Sequence, residues 1–374
     1  MSHKIALSAD ISAFQYNRLL DETWARKFPG ALWCSALVEV LGGRYQVVTA
    51  DVAHSHVQSG YWSPKDVLVV QHTSDSISTD LVQRSCIPHI ITAFESPLYA
   101  GSFYDNLETH TLNFQHQVLF RGSFSGLSCK GQQVPVTFPS FRWPLEVPEH
   151  NTWKNRKPIV MVFGNKYLPF LNFSFGPADW FWRFPRLAYQ QLSGNKPATS
   201  LPLADLQLQD RRLELLTYFL EREQVSLFGI GWDRFDRLPP DWRQSLKPLL
   251  SSSDRKIDDK ISCLRQFRFC LCLENCSYPG YVTEKIIDCL VAGVIPLYQG
   301  APDIAEFIPA ECFIDISQYS DLGELERRID QMSEIEAFHM IEAGQDFLNS
   351  EKGYLHSYEG FASMIAELIR DVEV

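Results

Sequence analysis

No stretch of this sequence holds 18 consecutive apolar residues, so no transmembrane helix is expected. The first thirty residues, MSHKIALSADISAFQYNRLLDETWARKFPG, lack the apolar core of a secretory leader. That predicts a cytoplasmic protein, with peripheral contact at the inner face of a membrane as its nearest approach to a bilayer. Basic residues are outnumbered: 34 Lys and Arg stand against 45 Asp and Glu, a net charge of −11. A field of that sign disfavours nucleic acid and anionic lipid as partners, while leaving room for a local basic pocket for phosphate. Gly-x-Ser-x-Gly is missing; the nearest string, Gly122-Ser123-Phe124-Ser125-Gly126, has Phe at its centre. The phosphate-cradling Gly-xxxx-Gly-Lys-[Ser/Thr] loop is missing too. There is no Asp-x-Asp triplet, no internal repeat and no low-complexity tract.

What is present describes a globular α/β chain. Its 374 residues are 45% hydrophobic and 21% charged, enough for two ordinary domains. Nine cysteines cannot all pair within one chain, and reduced thiols are the simplest state. Cys270, Cys272 and Cys276 fit no common zinc spacing. Cys270 and Cys272 fall in a strand-like run, where they would share one face as small buried residues.

Short β-branched runs at 4–9, 45–50, 66–72, 89–94 and 116–122 read as strands, with helical periodicity at 32–41 and 77–86. The rhythm resumes with strands at 158–165, 225–231, 268–275, 294–300 and 312–316. Helices are expected at 209–222, 256–265, 281–292, 320–332, 335–349 and 355–371. Between the halves lies the Pro-rich, polar stretch 144–158. The expected fold is α/β, with two Rossmann-like doubly wound domains facing a cleft. The first domain takes residues 1–150 and the second 151–350, with a C-terminal helix in 351–374 packing back on the first. The aromatic-rich segment 168–190 reads as core, with a sugar-stacking or partner surface as the alternative. His54-Ser55-His56 reads as a solvent-facing polar segment.

The most informative stretch is FRFCLCLENCSYPGYVTEKIIDCLVAGVIPLYQG, from Phe267 to Gly300. It reads as strand, loop, helix, strand. Pro279 and Gly280 suit the loop, Thr283 suits the helix cap, and Gly293 suits its termination. Ile286, Ile287, Leu290 and Val291 form one apolar face. Glu284 and Lys285 then occupy the first helical turn at the carboxyl end of the strand, where open α/β sheets bind ligands. A helix N-terminus beside a lysine suits a phosphate, and Glu284 suits sugar hydroxyls. These features suggest a nucleotide or a sugar phosphate without distinguishing them.

The run Glu274-Asn275, Tyr281-Val282-Thr283-Glu284-Lys285-Ile286-Ile287, Gly293-Val294-Ile295-Pro296-Leu297 and Gly300 resembles the donor-site signature of the α1,3/α1,4-fucosyltransferases, glycosyltransferase family 10. The likeness is greatest to bacterial members and covers about residues 267–317. Phe94-Glu95-Ser96-Pro97 resembles the Glu-Ser-Pro element of that family, whose Glu acts as general base. Arg212 suits the diphosphate-binding arginine of the family better than Arg211 does, on its spacing to Gly229, and a planar guanidinium matches diphosphate oxygens. The C-terminal heptad repeats of some bacterial relatives are absent, as are the anchor and C-terminal cysteine pair of animal ones.

The resemblance implies a two-domain GT-B arrangement and transfer of L-fucose from GDP-β-L-fucose to a glycan hydroxyl, with inversion. Glu95 would take the hydroxyl proton. Arg212, Asn275, Tyr281, Glu284 and Lys285 would hold the donor. No cofactor is implied, and without an Asp-x-Asp grip a metal-independent reaction is expected. The partners are GDP-fucose and an oligosaccharide or glycoconjugate acceptor. Two other readings stay open: a transferase using another GDP-sugar or linkage, and a relative that binds nucleotide sugar without turnover.

Overall fold

A computed structural model describes residues 3–128, 131–145, 153–165, 206–232, 238, 240–249 and 256–370. The aromatic segment 168–190 and residues 146–152 of the expected linker lie outside them. The chain forms two compact units, one from Met1–Pro144 with Glu351–Val374, the other from Leu145–Ser350.

The first unit is a parallel sheet in the order β2-β1-β3-β4-β5-β6. Its strands are β1 (Lys4–Leu7), β2 (Gln46–Thr49), β3 (Val67–His72), β4 (Ile87–Thr92), β5 (His116–Leu119) and β6 (Gln132–Pro135). The middle strands bury both faces, as the apolar runs Val67–Val70 and Ile90–Ile91 require. β6 was not expected. Its residues QQVP are largely exposed at the sheet edge, so no apolar alternation marks it.

Helix α1 (Leu32–Leu41) packs against the C-terminal helix, Tyr358–Arg370. Phe361 meets Trp33 at 5.1 Å, and Arg370 donates to the Val40 carbonyl. Helices α2 (Ala50–Gln58) and α3 (Ser76–Gln83) form a second pair. α2 escapes a periodicity reading because its ADVAHSHVQ face is small and polar. Its histidines are half-buried rather than solvent-facing: His54 pairs with Asp80 at 2.6 Å, and His56 lies against Trp62 at 4.5 Å.

The second unit has strand order β11-β10-β9-β7-β8, again parallel. The strands are β7 (Lys157–Val162), β8 (Val225–Phe228), β9 (Phe267–Leu273), β10 (Ile295–Gln299) and β11 (Ile314–Asp315). Two parallel doubly wound sheets are the fold class expected from the sequence. Helices α4 (Gln209–Leu220), α5 (Glu284–Ala292), α6 (Leu322–Asp330) and α7 (Glu334–Asn349) flank this sheet; the C-terminal helix of the first unit is α8. Cys270 and Cys272 are buried within β9 as small core residues. Among the described residues no group of three Cys, His, Asp or Glu side chains could hold a metal ion. No described helix is long and apolar enough to cross a membrane.

The C-terminal segment is stitched to residues 137–141 of the first unit. Ser140 donates to the His356 carbonyl, and Thr137 to that of Leu355. The His356 ring is buried, which lowers its pKa to about 4 against a hydrogen bond with Phe138 that favours the charged form. An unfolded histidine titrates near 6.5, so between those values the unfolded chain binds more protons. Stability of this unit therefore falls as pH drops from about 6.5 towards 4, by roughly 3 kcal/mol from this residue alone. Denaturation of His356→Gln across that range is expected to show a correspondingly flatter pH dependence than the wild type.

Candidate active site

Residues Leu273–Lys285 gather a set of buried polar contacts in the second unit. β9 ends at Leu273, so Glu274 and Asn275 emerge at its carboxyl end. Glu274 is fully buried. Its carboxylate accepts from the Thr283 amide at 2.8 Å, from the Thr283 hydroxyl at 2.9–3.0 Å and from the Lys285 ammonium at 2.9 Å. It thereby ties the end of β9 to the start of α5. Gly300, after β10, closes this pocket from the other side. A Cβ there would overlap the Tyr298 hydroxyl and come within 2.5 Å of Glu274 Cγ.

Thr283 stands at the N-cap of α5, yet its hydroxyl makes no cap bond. It bridges Glu274 and Lys285 instead, the latter at 2.8 Å. A buried carboxylate is the stronger acceptor and costs more to leave unpaired than a helix amide. Gly293 ends α5 in the left-handed conformation, φ 65°. The apolar stripe of α5 understates its burial: Asp288, Cys289 and Ala292 are buried as well as the four apolar positions. Asp288 can be inside because Lys260 pairs with it at 2.6 Å.

Arg212, in the first turns of α4, is buried rather than solvated. It donates to the Leu273 carbonyl at 2.6 Å and to Asn275 Oδ1 at 3.1 Å, and lies 5.4 Å from the centre of the Phe163 ring. Its neighbour Arg211 pairs with Glu214 and with the Tyr319 carbonyl. Asn275 passes the chain on, donating through Nδ2 to the Tyr281 hydroxyl at 3.2 Å. Tyr281 is itself buried, behind a loop that Asp303 holds through the Gly280 amide at 2.8 Å. The structure thus joins Arg212, Asn275 and Tyr281 in one hydrogen-bonded chain, and Lys285 and Glu284 in the adjoining turn.

The charge arrangement differs from a bare lysine at a helix start. Burial works against the Lys285 ammonium, but Glu274 and Glu284 outweigh it and its pKa lies above the ordinary lysine value, with Arg212 opposing. Glu284 lies 3.6 Å from the Lys285 ammonium. Burial would raise its pKa, yet Lys285 and Lys260 together bring it to about 2. Two cations, Arg212 and Lys285, therefore face two carboxylates, Glu274 and Glu284. Such a site holds fixed charges of both signs, suited to a ligand with an anionic part and hydroxyl groups.

Glu95 belongs to the first unit, two residues past Ala93, whose amide continues the β4 ladder by donating to the Val118 carbonyl. Its side chain is exposed and accepts from the Ser96 amide at 2.9 Å; its own carbonyl accepts from the Tyr104 hydroxyl at 2.9 Å. Phe94 fixes its backbone, packed among Trp33, Phe138 and Phe361 at 5.5–6.3 Å.

Sequence reasoning placed Glu274 in the signature run but gave it no role. The available signal was a carboxylate directly following an apolar strand, with a lysine eleven residues on across a loop. Removing one partner of such a buried pair leaves an uncompensated charge. Glu274→Leu and Lys285→Met are each expected to lower unfolding free energy, with Glu274→Leu costing about 3–5 kcal/mol. The double variant should recover much of the loss, and a denaturant double-mutant cycle measures the coupling.

Residues 204–340 match the profile for the glycosyltransferase family 10 (fucosyltransferase) C-terminal region. The α-(1,3)-fucosyltransferase FucT of Helicobacter pylori is 37% identical over 68 residues, 18% of this chain and 14% of that protein. GDP-fucose protein O-fucosyltransferase 3 of Mus musculus is 37% identical over 241 residues, 58% of this chain and 48% of that protein. The chain thus spans less than half the length of either relative. A solved glycosyltransferase from Rickettsia africae superposes with a TM-score of 0.55 at 10% identity, covering 100% of this chain and 99% of that one, a likeness of fold. The likeness to glycosyltransferase family 10, the fucosyltransferases, thus lies in the second unit, over residues 204–340.

Proposed function

We propose that this protein transfers L-fucose from GDP-β-L-fucose to a hydroxyl of a glycan, forming an α1,3 or α1,4 linkage with inversion at the anomeric carbon. The observation that carries this reading is the joined set Arg212, Asn275, Tyr281, Glu284 and Lys285 at the carboxyl end of β9, inside the region matched to the family.

Each residue has a role suited to its chemistry. The leaving group is a diphosphate, which needs its growing charge neutralised rather than a proton. Arg212 and Lys285 supply that charge, preoriented by Leu273, Asn275 and Glu274 so that little reorganisation accompanies bond breaking. Because two fixed cations do this work, the reaction proceeds without a metal ion. Asn275 and Tyr281 offer amide and phenol groups to the diphosphate or the adjoining sugar. Glu284, ionised down to about pH 2, accepts from hydroxyls of ribose or fucose. Glu95, exposed at the carboxyl edge of the first sheet, takes the acceptor proton as the hydroxyl attacks the anomeric carbon. The bond from that carbon to the diphosphate oxygen breaks as the new glycosidic bond forms, so one displacement inverts the centre. The net charge of −11 disfavours nucleic acid as a partner.

A second reading concerns the acceptor. The relative with the 241-residue alignment is named a GDP-fucose protein O-fucosyltransferase, which favours a serine or threonine hydroxyl of a protein as the alternative.

GDP release from GDP-fucose, measured in EDTA with a panel of glycans and a Ser/Thr peptide, tests both. Acceptor-dependent release is expected with wild type and is expected to fall about 10²–10⁴-fold in Glu95→Ala, the range for loss of a general base. Calorimetry should show the same GDP-fucose affinity for that variant. Absence of GDP-fucose binding to the wild type would overturn the assignment.

A further inference from the structure

A general base defines where one acceptor hydroxyl lies, not what holds the rest of the acceptor. The first unit contains a second feature that bears on this. In its sheet the chain goes from β1 outward to β2, then returns to β3 on the opposite side of β1. The strand order therefore reverses between β1 and β3. With right-handed crossovers the connections leaving these two strands go to opposite faces, consistent with α1 packing on α8 while α2 packs on α3. The carboxyl ends of such a strand pair are where open parallel sheets usually hold a ligand, in a crevice between the two loops.

Two segments line that crevice: Ser8–Asp10 after β1, and His72–Asp75 at the end of β3. Asp75 is fully occupied in holding them together. It accepts from the Ser8 hydroxyl at 2.8 Å, from the Ser78 hydroxyl at 2.5 Å, and from the amides of Ile77 and Ser78. Asp10 and His72 are not occupied in this way. Asp10 is exposed, and its charge favours the protonated His72 ring against the burial that lowers that ring's pKa. His72 engages Thr92 through Nδ1 at 3.2 Å, and among the described residues its Nε2 has no hydrogen-bond partner.

The same imidazole connects the crevice to Glu95. Its ring stacks on Phe94 at 5.3 Å, with 24° between the planes, and Glu95 is the next residue. β1, β3 and β4 are neighbours, so the row Asp10, His72, Glu95 crosses two strand spacings, about 10 Å, room for one to two sugar rings. Beyond β1 the row ends in Tyr16, 72% exposed. Tyr16 and Asn17 both take left-handed backbone angles, φ 59° and 60°, held by Asp51 at the Tyr16 amide and by Thr49 at the Asn17 amide. Consecutive non-glycine residues in that region cost energy that surrounding contacts must sustain, a pattern that clusters at ligand sites.

The chemistry selects the ligand class. Asp10, Asp75 and Glu95 make the stretch from β1 to β4 negative, which repels a phosphate there; Arg18, 5.7 Å from the Tyr16 ring centre, is the cation at the far end. No three ligands among the described residues converge on a metal position. A carboxylate and an imidazole offer acceptors and a donor together, as a hydroxyl requires, and an exposed aromatic ring offers a face to the apolar side of a sugar. We propose that the crevice between the loops after β1 and β3 holds the acceptor sugar, with Asp10 and His72 binding hydroxyls beside the one presented to Glu95 and Tyr16 stacking at the far end. This rests on the fucosyltransferase reading above.

The test uses the full chain and the variants Asp10→Asn and His72→Gln. Calorimetry with GDP-fucose comes first. Binding by the wild type with no change in either variant is expected; no binding by the wild type overturns the fucosyltransferase reading itself. N-acetyllactosamine and chitobiose are then the acceptor probes. The KM for whichever sugar is used is expected to rise about 10- to 100-fold in each variant, the range for losing a hydrogen bond to a charged group. An unchanged acceptor KM in both variants overturns the crevice assignment and leaves the enzyme reading standing. If neither sugar turns over, the His72 ring resonance, identified by its loss in His72→Gln, is followed in GDP-loaded protein. A shift on adding either sugar, absent in Asp10→Asn, supports the site. No shift with either sugar, or a shift with a Ser/Thr peptide alone, overturns it.

Discussion

The carboxylate of Glu274 organises the second unit. It lies fully buried at the end of β9, where an unpaired charge is not tolerable, so partners must be delivered to it. They come from the Thr283 amide and hydroxyl and from Lys285, all at the start of α5. Satisfying the charge fixes the β9–α5 turn, and with it the orientation of the first helical turn. The absence of a side chain at Gly300 is part of the same constraint, because any Cβ there would occupy the space of Glu274 and Tyr298. Arg212 and Asn275 build outward from this point, through the Leu273 carbonyl and the Tyr281 hydroxyl.

One consequence is electrostatic. A lysine at a helix start reads as a phosphate-binding charge, but here its ammonium is already engaged by Glu274 and Thr283 and lies near Glu284. A phosphate arriving at such a site meets a positioned and partly compensated cation. That arrangement lowers raw attraction and raises geometric specificity, and it lets an anionic group and neutral hydroxyls be recognised side by side.

Much of this was legible from residues alone. Alternation of short β-branched runs with amphipathic segments revealed the parallel sheets, because strands buried on both faces must be continuously apolar. Gly293 was legible as a helix terminator, since only the left-handed conformation was needed there. Elements without that signature were not legible. β6 has one half-buried residue among exposed ones, and α2 carries small and polar residues whose burial depends on Trp62 and Asp80. Thr283 read as a cap because local rules see only the helix; its partner lies nine residues back, across a loop.

The sequence by itself determined the α/β class, the strand-loop-helix unit bearing Glu284 and Lys285, and the family signature. Each depends on contacts or spacing within one or two elements. The tertiary structure alone decided that Arg212 is buried against Leu273 and Asn275, that Glu274 is the buried anchor, and that the loop after β1 is tied to the end of β3 through Ser8 and Asp75. Those outcomes follow from strand order and burial, which bring Arg212 to Leu273 across 61 residues and Lys285 to Glu274 across a loop of the same motif. Burial then assigns each charge a cost that depends on what the fold places beside it.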